Sequence, residues 1–234
     1  MSSCRSKDSA TGRSPLPNAA ENAPRKPIVC YVTDGNMLGG SRSARVLEKI
    51  RMAVAAGVDW VQIREKDMAT RELLALVREA ALTGARIIVN DRLDVALASG
   101  AAGVHLGGES LPARDAIRWC RSGNAPAEFL VGVSCHSTEQ ARQAEADGAS
   151  YVFFGPVFDT PSKRPFGPPQ GIAKLAEACR AVPIPVIAIG GIHGENAAEC
   201  LRAGAAGVAA IRMFQEASDP EQLREAIERV RRAS

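Results

Sequence analysis

The sequence predicts a closed (β/α)8 barrel, and three observations point there. One unit recurs from Pro27 onward, a short apolar strand, a polar tip and a helical segment, and eight such units fit into about 200 residues. Several strands, Ile87-Ile88-Val89 among them, are almost continuously apolar, as expected of parallel strands covered on both faces. The turn after the first strand, Asp34-Gly35-Asn36, lacks the GxGxxG of an open doubly wound sheet, the main alternative architecture.

The elements follow in order. A first strand runs from Ile28 to Thr33 and ends at Asp34; a helix over 43–56 carries Val46, Leu47, Ile50 and Val54 on one face and closes at Gly57. The second strand, 58–63, runs into Arg64-Glu65-Lys66, and the next helix, 70–82, has Thr70 as its expected N-cap and Gly84 as its stop. A strand over 86–89 ends in Asn90-Asp91, a helix covers 93–99, and a strand over 103–106 ends in Gly107-Gly108-Glu109. A helix over 112–120 begins with proline in its first turn, and the fifth strand, 129–133, ends in Ser134. Ser137-x-x-Gln140 reads as a capping box for a helix to Asp147. The sixth strand, 150–154, opens into a long loop, 155–170, followed by a helix over 172–179. The seventh strand, 185–189, ends in Gly190-Gly191, a helix covers 196–203, and an eighth strand, 206–210, precedes the last helix, 220–232.

Composition narrows the function. The chain has 234 residues, 46% of them apolar and 4% aromatic, enough for a core built from Ala, Val, Ile and Leu. No apolar run approaches the ~20 residues of a membrane helix. The net charge of +3 is carried by residues 1–27, where Arg5, Lys7, Arg13, Arg25 and Lys26 face Asp8 and Glu21. The remainder is neutral, which argues against a nucleic-acid surface. Residues 1–27 lack periodicity and read as a disordered tail ahead of a single barrel domain, 28–234; the two acids speak against a transit peptide. Cys4, Cys30, Cys120, Cys135, Cys179 and Cys200 form no CxxC pair, so reduced, mostly buried thiols in a reducing cytoplasm are expected. Cys135, beside a polar strand tip, is the one candidate for a reactive thiol. Small-molecule substrates are the expected partners, not nucleic acid or membrane, and a homo-oligomer is left open.

In a barrel all strand tips meet at one rim, so the tips can be read together. Gln62, Arg64 and Lys66 share one side if strand alternation continues, and two cations with an amide suit a phosphate; a salt-bridged strand end with Glu65 and Asp67 is the alternative. Asn90-Asp91 offers oxygen ligands for Mg²⁺, unless Asp91 merely caps the following helix. Ser134 and His136 bring a hydroxyl and an imidazole that could act as acid or base. The loop Gly155 to Lys163, with Thr160, Pro161, Ser162 and Lys163, has the character of a lid. Gly190-Gly191 and Ile211-Arg212 fall where barrels commonly bind phosphate.

These residues resemble the thiamine phosphate synthase family. The matching stretches are Gln62-Ile63-Arg64-Glu65-Lys66, Asn90-Asp91-Arg92 with Asp94-Val95-Ala96-Leu97-Ala98, Gly103-Val104-His105-Leu106-Gly107, Gly132-Val133-Ser134, Thr160-Pro161-Ser162-Lys163, Ile189-Gly190-Gly191-Ile192 and Gly207-Val208-Ala209. They span nearly all of residues 28–217 in family order. The resemblance implies that an aminopyrimidine diphosphate is joined to a thiazole phosphate, releasing pyrophosphate, through a dissociative step. It implies that Gln62, Arg64, Lys66 and Asn90 hold the pyrimidine diphosphate, with Ile63 and Glu65 in the same run. Asp91 would bind Mg²⁺, while Ser134 and Lys163 steady the diphosphate. Thr160 to Ser162, Gly191 with Gly190, Ile211 and Arg212 would face the thiazole phosphate. Arg64, Lys66, Ser134 and Lys163 would carry the catalytic charge stabilisation.

Three positions depart from the family pattern. Its second Mg²⁺ ligand, an Asp, aligns with Ser110, whose hydroxyl is a poorer ligand, although Glu109 stands next to it. Gly108 replaces a usual Gln, and Arg212 a usual Ser. The chain is also similar to the thiazole tautomerases, which share the barrel, use a histidine at the position of His136 and need no Mg²⁺. Gln62 and the loop Thr160 to Lys163 favour the synthase. A non-catalytic phosphate-binding barrel is the third reading.

Overall fold

A computed structural model of the chain describes residues 26–38, 42–160 and 168–232. The expected tail lies outside the described residues except for its last two positions, and Pro161, Ser162 and Lys163 lie outside them too.

The strands are β1 (Ile28–Val32), β2 (Trp60–Ile63), β3 (Arg86–Asn90), β4 (Gly103–Leu106), β5 (Leu130–Cys135), β6 (Tyr151–Phe154), β7 (Val186–Ile189) and β8 (Gly207–Ala210). They pair in sequence order, all parallel, and the barrel closes through β1 and β8, with Ile28 opposite Gly207 and Cys30 opposite Ala209. Closure excludes the open sheet. Around it lie α1 (Arg42–Ala55), α2 (Thr70–Ala81), α3 (Leu93–Ser99), α4 (Ala113–Trp119), α5 (Thr138–Asp147), α6 (Gly171–Ala181), α7 (Ala197–Arg202), α8 (Arg212–Gln215) and α9 (Pro220–Arg232). No helix among the described residues is long and apolar enough to cross a membrane.

The helices dock by apolar stripes. In α2, Leu73, Leu76, Val77 and Ala80 are buried, and in α9 Leu223, Ile227 and Val230, both at helical spacing. Strand alternation sorts the other half of the core. Val29, Tyr31, Val61, Ile63, Val89 and Leu106 face the helices. Cys30, Val32, Trp60, Ile88, Tyr151, Phe153, Ile187 and Ala209 fill the lumen. At Gly132 a Cβ would stand 2.1 Å from Tyr151 Cζ, so only glycine lets that ring lie across the lumen.

Several boundaries differ from expectation. Thr70 is the first helical residue, not the cap; Ala69 holds the cap position without a side-chain bond. Pro112 precedes α4 at its cap. Ser137 does cap α5, accepting from the Gln140 N–H at 3.2 Å, but Gln140 Oε1 returns to the His136 N–H at 2.6 Å, one residue earlier than in a capping box. β5 runs on to Cys135, which places Ser134 inside the strand. The four-residue α8 went unpredicted because so short a helix leaves no periodic signal.

Candidate active site

Every candidate among the described residues sits at or just beyond the carboxyl end of a strand, because eight parallel strands in one barrel bring all such ends to one mouth. The centre of that mouth is Asp91. It has φ 62, the only non-glycine among the described residues with positive φ, a conformation that holds the carboxylate where an ordinary strand exit would not. Asp91 Oδ1 accepts from the Gly107 N–H at 3.2 Å and from the Ser110 hydroxyl, and Oδ2 accepts from Asn90 Nδ2 at 2.5 Å. The helix-capping alternative does not hold: Arg92 occupies the cap of α3, and no side chain caps it.

A carboxylate only accepts, so the direction of the network is set from this end. Asn90 must turn its amide nitrogen to Asp91 and its oxygen to Gln62, whose Nε2 donates to Asn90 Oδ1 at 2.7 Å. Gln62 is 3% exposed, and its Oε1 is left buried without a partner among the described residues. A buried acceptor without a donor is destabilising by about 1–3 kcal/mol, and a ligand N–H at this point would relieve it.

Past Ile63 the strand ends. Ile63 is 1% exposed and packs toward the helices, away from the lumen. Arg64 is half-buried at the mouth. Its N–H donates to Thr33 Oγ1 at 2.9 Å, and its guanidinium lies 3.9 Å from the Asp34 carboxylate. Lys66 is exposed. Glu65 turns the other way into a buried site. Its carboxylate accepts from Thr33 Oγ1 (2.7 Å), the Gly35 N–H (3.0 Å) and Arg42 Nε (2.7 Å). The alternation expected of this run therefore holds as far as Glu65. Ile63 and Glu65 buttress it, while Gln62 and Arg64 face the mouth. Asp67 is exposed, so the alternative of a salt-bridged strand end is built by Glu65 with Arg42 instead.

On the facing wall, Ser134 Oγ lies 2.9 Å from His105 Nε2, and His105 Nδ1 lies 3.2 Å from Tyr151 Oη. Burial pushes the His105 imidazole down to about 3, against a smaller opposing effect of the Asp91 charge, so the ring is neutral at ordinary pH. Burial likewise holds the Tyr151 hydroxyl well above its ordinary range. Sequence reasoning missed Tyr151 as a polar participant and gave His105 no role, because both stand in apolar strand segments; their alternation toward the lumen was the available signal. His136 is exposed, with Nδ1 2.5 Å from the Gly155 carbonyl at the foot of the long loop. Cys135 is 1% exposed and burial pushes its thiol up to about 12, which removes it as a reactive thiolate.

The third wall is backbone. The loop after β6 lies directly on the turn after β7: Val157 N–H donates to the Ile189 carbonyl at 2.9 Å and Phe158 N–H to that of Gly190 at 3.0 Å. Gly190 has φ 98 and a Cβ there would come within 2.5 Å of Pro156 Cβ; at Gly191 (φ 67) one would come within 2.7 Å of the Asp159 carbonyl oxygen. Asn196 Nδ2 donates to the Gly191 carbonyl at 2.8 Å. The N–H groups of Gly190 and Gly191 have no acceptor among the described residues. Thr160 is half-buried at the last described position of this loop. Ile211 packs on the lumen, whereas the Arg212 guanidinium is exposed beside Glu216, Nε to Oε1 3.7 Å.

The donor set can be tested for Mg²⁺. Among the described residues no three His, Cys, Asp or Glu side chains gather into a metal cluster. Mg²⁺ is commonly held by one or two carboxylates together with substrate phosphates and water. Asp91 fits that pattern with one oxygen, since Oδ1 already accepts twice and Oδ2 once. Ser110 Oγ accepts from the Gly107 N–H at 2.7 Å and donates to Asp91, which leaves it one lone pair. Glu109 is exposed on the same turn. Depressions of about 620 and 340 Å³ lie at the opposite, amino-terminal end of the strands, around Asp59 and Arg86 and around Ala85 and Phe129. They hold none of the mouth residues.

Comparison with known proteins shows the family and the fold. Residues 29–214 match the sequence model of the family described as thiamine monophosphate synthase. The chain is 45% identical over 198 residues to the thiamine-phosphate synthase of Roseiflexus castenholzii, covering 82% of this chain and 83% of that one. It is 44% identical over 209 residues to that of Moorella thermoacetica, covering 86% and 96%. Among solved structures, the thiamine phosphate pyrophosphorylase of Pyrococcus furiosus superposes with a TM-score of 0.74 at 32% identity, over 89% of this chain and 95% of that one.

Proposed function

The chain belongs to the thiamine monophosphate synthase family, and from that premise we propose how its mouth carries out the transferase reaction. The substrates are an aminopyrimidine diphosphate and a thiazole phosphate, and the products are thiamine phosphate and pyrophosphate. One observation carries the assignment of the pyrimidine: the unpartnered Gln62 Oε1, an acceptor buried two hydrogen bonds from Asp91. An exocyclic amino group would satisfy that oxygen while the diphosphate of the same molecule reaches Asp91.

The chain's own residues then divide the labour. Arg64 and Lys66 neutralise the diphosphate from the β2 side, and the Ser134 hydroxyl donates to it from the β5 side. Lys163 completes this set in the proposal. Asp91, with Ser110 and Glu109 beside it, would hold Mg²⁺, which when bound supplies positive charge against the leaving pyrophosphate. No side chain is needed as nucleophile, because the pyrimidine carbon becomes cationic as its diphosphate departs and the thiazole nitrogen captures it. The Gly190 and Gly191 N–H groups face the thiazole phosphate, with Ile211, Arg212 and Thr160 to Ser162 around it. The apolar lumen beneath keeps water from the cation. A reducing cytoplasm is the proposed compartment, supported by five unpaired cysteines among the described residues, four of them buried.

His136 meets the Gly155 carbonyl through Nδ1 and its Nε2 has no partner among the described residues, so the isomerase reading is decided by the assay and not by this contact. The test is a coupling assay with both substrates. Pyrophosphate release should require Mg²⁺ and vanish in Asp91→Ala. Release that persists with chelator present would overturn the metal assignment, and isomerisation of the thiazole without coupling would overturn the synthase reading.

A further inference from the structure

Tyr151, His105 and Ser134 form a line from the floor of the lumen to the mouth, and the position of every proton along it can be deduced. Tyr151 is 1% exposed, and its hydroxyl has one partner among the described residues, His105 Nδ1 at 3.2 Å. His105 is 1% exposed, and its other nitrogen has one partner, Ser134 Oγ at 2.9 Å. Two arrangements are open to a neutral imidazole. If Nδ1 carried the proton, it would donate to Tyr151 and leave the Tyr151 O–H with no acceptor in a dry lumen. Ser134 would then spend its own proton on Nε2. If Nε2 carries the proton, Tyr151 donates to Nδ1, Nε2 donates to Ser134, and no buried donor is left unmade. An unmade buried donor disfavours the first arrangement by about tenfold or more.

We propose that Tyr151 is a positioning residue of this transferase: by donating to His105 Nδ1 it fixes the imidazole as the Nε2–H tautomer, which turns the Ser134 hydroxyl proton outward to the leaving diphosphate. The line is built to be rigid. Phe153 packs on the imidazole with ring centroids 4.3 Å apart, Trp60 meets Tyr151 edge-on at 5.0 Å, and Gly132 vacates the space the Tyr151 ring fills. Three donors in series point one way, toward where negative charge develops, and none must reorient as it does. The inference rests on Ser134 as a diphosphate ligand and adds what aims it.

The first experiment is the ¹⁵N–¹H correlation spectrum of the ligand-free, full-length protein labelled at its three histidines, with His105 identified by its loss in His105→Gln. The expected pattern is a protonated Nε2 and an unprotonated Nδ1; a protonated Nδ1 overturns the proposal even if no variant folds. The second is a double-mutant cycle on pyrophosphate release. Tyr151→Phe should lower kcat about tenfold, leave KM for the thiazole phosphate unchanged, and lower kcat no further in a Ser134→Ala background. A full further loss in that background would mean that Tyr151 acts on packing and not through Ser134, and would overturn the proposal. Unchanged turnover in Ser134→Ala alone would remove Ser134 as a ligand and the proposal with it. A protonated Nδ1 together with a damaged Ser134→Ala would remove only the relay.

Discussion

Replacing Glu65 by leucine should destabilise the protein far more than a surface substitution would. The Glu65 side chain is fully buried, and its partner Arg42 is 23% exposed. The leucine removes the acceptor of the Thr33 hydroxyl, the Gly35 N–H and Arg42 Nε. Arg42 can turn to water, but Thr33 and Gly35 are buried. Two buried donors left unmade amount to about 2–6 kcal/mol. In a barrel of this size the melting temperature should fall by about 4–24 °C. Equilibrium urea unfolding, followed by far-ultraviolet circular dichroism and tryptophan fluorescence, measures the change. Arg42→Leu should cost about 3–5 kcal/mol as well, because it leaves the fully buried Glu65 carboxylate without a counter-charge. Arg42→Leu added to Glu65→Leu should lose less than the sum of the two. A Glu65→Leu loss below about 1 kcal/mol would refute the reasoning, since that is the scale of an exposed pair.

Other consequences can be checked alongside. His105 sits near 3 in the folded protein against 6.5 unfolded, so the folded state binds fewer protons between those values. Its contribution to stability is intact above about pH 6.5 and declines as the pH falls, by about 2–3 kcal/mol at pH 4.5. Urea midpoints at pH 7 and 4.5 should therefore move closer together in His105→Gln; an unchanged gap would contradict the buried neutral ring. Gly190→Ala places a Cβ within 2.5 Å of Pro156 Cβ at φ 98. It should raise KM for the thiazole phosphate about tenfold and destabilise the fold by about 1–2 kcal/mol, as read by initial rates and thermal melts. Ser110→Asp adds a second carboxylate beside Asp91 and should lower the Mg²⁺ concentration for half-maximal activity by about tenfold; a metal titration of the rate decides it.

What was legible in the sequence follows from local chemistry. α3 and β4 match their expected bounds because short β-branched or glycine-flanked runs meet clear turn residues there. The gathering of Gln62, Arg64, Asn90, Asp91, Ser134 and Gly190 at one end was legible too, since a strand order read from the chain fixes which ends meet. Their hydrogen-bond partners were not. Alternation sorts Gln62 and Arg64 from Ile63 and Glu65, but Thr33 and Arg42, which hold the Glu65 carboxylate, are connected to it by no spacing rule. The left-handed backbone at Asp91 is only weakly signalled, for aspartate tolerates that conformation more readily than most residues but adopts it in a small minority of positions. Tyr151 and His105 look like core in a linear reading, and only the closed lumen makes His105 the one partner of the Tyr151 hydroxyl among the described residues.

The aromatic and aliphatic plug of Trp60, Tyr151, Phe153 and Ile187 has a consequence for traffic. A stoppered cylinder has one doorway, so both reactants enter and both products depart through the same opening. On the proposed seating, the molecule beside Gln62 would be the deeper guest and would have to arrive before the one held at the rim. Initial-rate patterns should accordingly be those of an ordered queue, with the shallower guest also the last in.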